Sequence, residues 1–166
     1  MVALLSSDAI AQNTDSHLNV GLGLSRWGIP LHFSYDFPVA SDINLAPWTS
    51  IQSYNERVKY NSNELNWSHT IIGLGVSGQY YFDSLLELPE QFDVYGGLGL
   101  GFYIWNTKYK GNDFNNVDYT GSASGGLGGF LFVGGRYYMN DKVALNLELK
   151  GGNLLSVGQF GVSFRL

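Results

Sequence analysis

The sequence predicts an all-β chain, an eight-stranded antiparallel up-and-down transmembrane barrel, and three observations carry the prediction. The first is alternation. In KVALNLELK, Lys142 to Lys150, one strand face would carry Val143, Leu145, Leu147 and Leu149, and the other Ala144, Asn146, Glu148 and Lys150. The second is a shortage of charge: 14% of residues are Asp, Glu, Lys or Arg, where soluble domains carry roughly 25%. The third is the make-up of the polar face, mostly Gly, Ser, Asn and Gln. Gly alone takes 22 of 166 positions, nearly twice its usual share of roughly 7%.

The chain has the length of one domain. No stretch approaches the roughly 18 apolar residues of a spanning helix, so strands must do any crossing. Cysteine is absent, which removes disulfides and thiolate metal sites. A net charge of −5 with nine Lys plus Arg argues against nucleic acid as a partner. The start, MVALLSSDAIAQ, has a small-x-small site at Ala9-Ile10-Ala11 after an apolar run. Residues 1–11 are therefore expected to be the remainder of a secretory signal peptide, and residues 12–166 a single barrel domain.

Eight alternating segments follow. His17 to Arg26 sets Leu18, Val20, Leu22 and Leu24 against His17, Asn19, Gly21 and Gly23. Leu31 to Phe37 sets Leu31, Phe33, Tyr35 and Phe37 against His32, Ser34 and Asp36. The third, about Asp42 to Ser53, is weakest, because Pro47 cannot donate to a ladder; a bulge or a strand end is expected there. His69 to Phe82 opposes Ile72, Leu74, Val76, Tyr80 and Phe82 to Gly73, Gly75, Ser77 and Gln79. Phe92 to Lys108 opposes Val94, Leu98, Leu100, Phe102 and Ile104 to Asp93, Tyr95 and a run of glycines. The sixth, Ser122 to Met139, has ambiguous parity until Arg136, which joins Gly134 on the polar face. KVALNLELK is the seventh, and QFGVSFRL the eighth.

No helical periodicity competes with these strands. Short links (FPVAS, MND, and a longer DSLLELPEQ) alternate with polar stretches at Tyr54 to Ser68 and Tyr109 to Gly121, read as loops. Short turns at one end and longer loops at the other suit a membrane barrel. Aromatic girdles are expected at both ends: Trp27, Tyr54, Trp67 and Trp105 on the loop side, and Tyr35, Phe37, Tyr80, Phe82, Tyr137 and Phe164 on the turn side.

The polar face decides which way the leucines point. As the outside of a soluble barrel it would carry Lys, Glu and Asp throughout, whereas small residues with a few ions suit a narrow lumen. The apolar face then meets lipid, and closure satisfies every backbone polar group. Charges of inward parity, Asp36, Asp93, Arg136, Glu148, Lys150 and Arg165, are expected to form a lumen ionic cluster. Truncating Arg165 should then cost roughly a few kcal/mol, and changing Lys142 at its turn little. Bulk at His32, Tyr95, Tyr103 and Trp105 would occlude what the glycines leave open, so no conductance is expected. The alternative from another class is a soluble lipocalin-like carrier, whose apolar face would line a ligand cavity.

VYGGLGLGFY (Val94 to Tyr103), VGGRYYMNDKVALNLELKGG (Val133 to Gly152) and the final GQFGVSFRL resemble the small eight-stranded outer-membrane barrels. That group includes OmpX, the OmpA transmembrane domain and the opacity proteins, under the headings outer membrane protein beta-barrel domain and porin family. The resemblance spans residues 17–166. It implies location in a bacterial outer membrane, contact with its lipid, and a role in envelope structure or in surface recognition and adhesion through loops. It also implies recognition of the last strand by barrel-assembly machinery, here with Phe164 and Leu166 where the group's signal ends in Phe.

Catalytic and cofactor motifs are thin. His17, His32 and His69 are scattered, without metal-ligand spacing. Ser68, His69 and Glu64 could be dressed as the set of a lipid-modifying enzyme, but sequence neighbours on a strand face opposite ways. GLGLG and GGLGG lack the strand-to-helix context of phosphate loops. Asp113 and Asp118 read as solvated loop acids rather than a calcium site. The expectation is a non-enzyme without cofactor or metal.

Overall fold

The structure, a computed structural model, describes residues 15–60, 63–110, 123–154 and 156–166, with side chains described except at 56–66 and 109–110. The expected signal segment, residues 1–11, lies outside them, as do Asp113 and Asp118. Among the described residues eight strands run in chain order: β1 (His17–Ser25), β2 (Leu31–Ala40), β3 (Ile43–Tyr60), β4 (Asn63–Tyr81), β5 (Phe92–Lys110), β6 (Ala123–Asn140), β7 (Val143–Gly152) and β8 (Val157–Arg165). Each pairs antiparallel with its chain neighbours. Pairing of β1 with β8, from His17↔Arg165 to Ser25↔Val157, closes the sheet into a barrel.

Parity sets the two faces. On β1, His17, Asn19, Gly21 and Gly23 are buried, while Leu18, Leu22 and Leu24 are exposed. On β7, Ala144, Asn146 and Glu148 turn inward and Leu145, Leu147 and Leu149 outward. Among the described residues, buried polar side chains outnumber buried apolar ones, and the large hydrophobics stand outside. That inverts a soluble protein. It also runs against the carrier reading, which needs the strand leucines inside, whereas Leu18, Leu22, Leu98, Leu145 and Leu147 stand outside.

The turn end is built tightly. Asp42 takes a left-handed φ of 59° between β2 and β3. The Asn140 side-chain oxygen accepts from the N–H groups of Lys142 and Val143 at 3.0 and 2.9 Å between β6 and β7. DSLLELPEQ contains one helical turn, α1 (Asp83–Leu86), where periodicity indicated none. Its Asp83 carboxylate accepts the Val94 N–H at 2.7 Å. A single turn is too short for a 3.6-residue period to show.

Pro47 sits within β3, opposite Val76 of β4, and neither bulges nor ends the strand. Pairing toward β2 breaks off between Ser34↔Trp48 and Phe37↔Leu45 and resumes in the same register. The missing proline N–H thus interrupts the ladder locally without shifting it. The register shifts fall instead at Pro38/Ala40 and Tyr138/Asn140, both at the turn end.

The walls are unequal in height. β3 and β4 stay paired up to Tyr60↔Asn63, and β4 pairs with β5 up to Asn66↔Lys110. On the flanks, β2 leaves β3 at Leu31↔Ile51, and β7 leaves β6 at Phe130↔Gly152. Most of Tyr54 to Ser68, read as a loop, is therefore strand. Between Asn55 and Glu64 polar residues fall at both parities (Asn55, Arg57 and Lys59 against Glu56, Ser62 and Glu64), so the polar–apolar alternation that marks a strand disappears.

Candidate functional site

The interior is a stack of two polar layers beneath a layer of rings. In the layer nearest the turns, Arg136 of β6 reaches five other strands. It donates to Tyr81 Oη at 2.5 Å, Ser163 Oγ at 3.1 Å and Asn19 Oδ1 at 3.3 Å. It is ion-paired with Asp36, and with Asp93 at 3.7 Å. The Tyr95 ring lies 4.7 Å from the guanidinium carbon. Asn19 and Ser163 bond each other, and Asn146 donates to Ser163 at 2.8 Å. Tyr138 donates to Asp93 at 2.7 Å, and His17 Nε2 meets the same hydroxyl at 2.7 Å. A guanidinium suits this place because its five donors are fixed in one plane and can serve several strands together.

The second layer holds the other pair. Lys150 Nζ lies 2.9 Å from Glu148 Oε2, and Tyr95 Oη donates to Glu148 Oε1 at 2.8 Å. His32 completes it, with Lys150 Nζ 3.4 Å from Nε2 and the Gln159 amide 2.9 Å from Nδ1. Lys150 Nζ and Gln159 Nε2 are both donors, and a neutral imidazole accepts at one nitrogen, so His32 takes a full hydrogen bond from one of the two.

Above them, Trp48, Tyr103, Phe130 and Phe132 fill the bore, with Tyr54, Trp105 and Leu154 packed over them. Glycines make the room. A Cβ on Gly101 would meet the Trp48 ring at 2.4 Å, one on Gly99 the Phe130 ring at 2.3 Å, and one on Gly134 the Tyr95 ring at 2.8 Å. What alternation shows as a bare Gly face is thus a set of seats for rings, two of them the direct cross-strand partners, Gly99↔Phe130 and Tyr95↔Gly134.

The six charges named from the sequence divide three ways. Asp36, Asp93 and Arg136 share one layer, and Glu148 and Lys150 the next. Arg165 stands at the turn-end rim, paired with Asp15 at 3.0 Å, with side chains 31% and 42% exposed. It is the last residue of β8, where water reaches it. The large loss expected on truncating Arg165 therefore moves to Arg136. Arg165→Ala should cost about 1–2 kcal/mol: the half-open ion pair adds up to about 1, and the guanidinium over the Tyr138 ring, 4.0 Å from its centre, about 0.5–1. A denaturant titration beside Lys142→Ala, in an exposed turn, checks this: Arg165→Ala should lose slightly more than Lys142→Ala and well less than a change at Arg136.

The ten girdle aromatics also divide. At the turn end Tyr35 stacks on Phe37 at 6.0 Å, Tyr80 meets Phe82 at 5.1 Å and Tyr137 meets Phe92 at 5.1 Å; Phe164 is exposed on the same outer face. Of the four assigned to the loop end, Trp27 alone is well exposed. Trp105 and Tyr54 pack on the interior rings, and Trp67 occupies the strand parity of His69 and Ile71. Trp105 follows Gly101 and Tyr103 at intervals of two, and that period puts it inside. His69 stacks on Tyr54 at 4.6 Å and meets Thr107 Oγ1 through Nδ1 at 3.0 Å, while Ser68 takes the alternate strand position.

The closed eight-stranded antiparallel sheet, polar within and apolar without, defines the class of small membrane β-barrels. No protein-family model and no curated protein matches the sequence. Among solved structures, the chain is similar to a major outer membrane protein from Thermus thermophilus, with a TM-score of 0.67 at 10% identity over 92% of this chain and 98% of that one. It is similar to the N-terminal β-barrel domain of Pseudomonas aeruginosa OprF, with 0.61 at 12% over 93% and 99%. It is similar also to Ail, the attachment invasion locus protein of Yersinia pestis, with 0.53 at 11% over 92% and 99%. A de novo designed transmembrane β-barrel matches comparably, at 0.54 and 14% over 92% and 96%. Designed and natural barrels thus share this fold, so the fold alone carries no activity.

Proposed function

We propose that the chain is an integral outer-membrane barrel with a filled, non-conducting lumen, acting in envelope structure or surface recognition through its loop end. The inverted surface carries this reading: isoleucines, leucines and phenylalanines ring the outside of a closed sheet whose buried interior is largely polar. Lipid is the solvent in which such a surface is stable and in which closure is required. The lumen is blocked at successive levels by Arg136 with its partners, Tyr95 with Glu148, and Trp48 with Phe130. Eight strands leave an interior about wide enough for side chains to fill.

Recognition falls to the tall wall of β3, β4 and β5, which stands beyond the apolar band. Ail, of the same fold, has been solved in complex with the heparin analogue sucrose octasulfate, which supports a surface role for barrels of this shape. Three measurements test the proposal. The protein should fractionate with the outer membrane, fold only in detergent or lipid, and give no stable porin-sized steps in a planar bilayer. A monodisperse β-rich protein from the soluble fraction, or reproducible large steps, would overturn it.

A further inference from the structure

Between the ring layer and the Glu148–Lys150 pair lies a pit with no part in the reading above. Trp48, Tyr103 and Phe130 form its walls, and Lys150, Gln159 and Ser50 its polar edge. The centre of a water molecule can range over about 30 Å³ inside it. One water needs roughly 10–15 Å³ by that measure, so the pit takes a group of a few heavy atoms and excludes a sugar ring.

Its polarity is one-sided. Among the described residues that line the pit, Lys150 is the only lysine, and neither an arginine nor a carboxylate joins it. Glu148 meets the ammonium with Oε2 at 2.9 Å and spends Oε1 on the Tyr95 hydroxyl at 2.8 Å. An ammonium has three donors. Glu148 takes one and His32, at 3.4 Å, at most a second; the third is left for the pit, and the Lys150 side chain keeps 15% exposure. The Gln159 amide and the Ser50 hydroxyl can add donors beside it. The remaining wall is apolar ring surface, which a bare halide would leave unused.

We propose that this pit binds a short aliphatic monocarboxylate of acetate or propionate size. The carboxylate sits on Lys150, and the alkyl end lies against Trp48 and Tyr103. Because Glu148 offsets much of the lysine charge, binding is weak and saturates in the millimolar range.

The test uses the full chain in nanodiscs, titrated with ¹³C-labelled acetate and, as an ionic control, with methylammonium chloride. Intermolecular NOEs from the acetate methyl to the Trp48 and Tyr103 rings are expected, with a saturable shift of the Gln159 side-chain amide that methylammonium does not produce. In E148Q/K150M, which removes both charges together and leaves no buried ion alone, the NOEs and the saturation should vanish; in K142M they should persist. Absence of NOEs in the native protein, or an unchanged titration in E148Q/K150M, overturns the proposal. The NOEs are read on the native chain, so they decide the matter even if the variant fails to fold.

Discussion

Arg136→Met is expected to destabilise the barrel by about 3–5 kcal/mol, the cost of removing one partner from a buried pair. The loss is larger than for a surface cation because two carboxylates, Asp36 and Asp93, stay behind in the lumen with their counter-ion gone. Tyr81, Ser163 and Asn19 also lose the donor they share. A guanidinium titration of the detergent-solubilised protein, followed by intrinsic fluorescence, measures it. The triple variant D36N/D93N/R136M should recover much of the loss, since replacing a whole buried ionic group can be close to neutral. A single-variant loss no larger than that of Lys142→Ala would mean that the Arg136 layer is not a stabilising contact.

Gly75→Ala is the second large effect. A Cβ there would lie 2.1 Å from the Leu100 carbonyl oxygen of the neighbouring strand and 2.7 Å from the Trp48 ring. A side chain could move aside. A backbone carbonyl in a closed ladder cannot, so β4 and β5 must separate locally. Overpacking of this kind costs about 1–3 kcal/mol, occasionally more. Gly151→Ala, where nothing lies within 4 Å of the new methyl, is the matched control and should be close to neutral. Refolding yield and denaturation midpoint, compared for the two variants, read the difference directly; equal midpoints would show that β4 and β5 can part at Gly75 without cost.

Charge makes the lumen legible in the sequence. Asp36, Asp93, Arg136 and Glu148 mark the inward face wherever they fall, because a lone ion in lipid is far costlier than one with partners. Rings carry no such mark. Phe130 and Phe132 could face lipid or lumen on composition, and only their even spacing from Arg136 puts them inside. Trp48 hides beside Pro47 in the segment with the poorest pattern, yet it shares a face with Asn44 and Ala46. Nearness to strand ends suggests a girdle place for Trp105 and Tyr54, whereas counting by twos turns them inward. The tall wall is not legible from polarity, because its pairing rests on backbone hydrogen bonds that any sequence can make.

The closing pair of strands has a consequence for how the barrel comes to exist. The other seven interfaces join strands adjacent in the chain, so each is a hairpin that can form locally. The β1–β8 contact instead joins residues 132 to 148 positions apart, from Ser25↔Val157 to His17↔Arg165. Loop-closure entropy and topology both make that the slow event. Until it happens, the chain is an open sheet with two bare edges, β1 and β8, each nine residues long and shorter than the strands between them. Short edges offer few hydrogen bonds to a stray chain. The brevity of the first and last strands therefore confines the period of vulnerability to mispairing to a small length of backbone, and a single zippering step ends it.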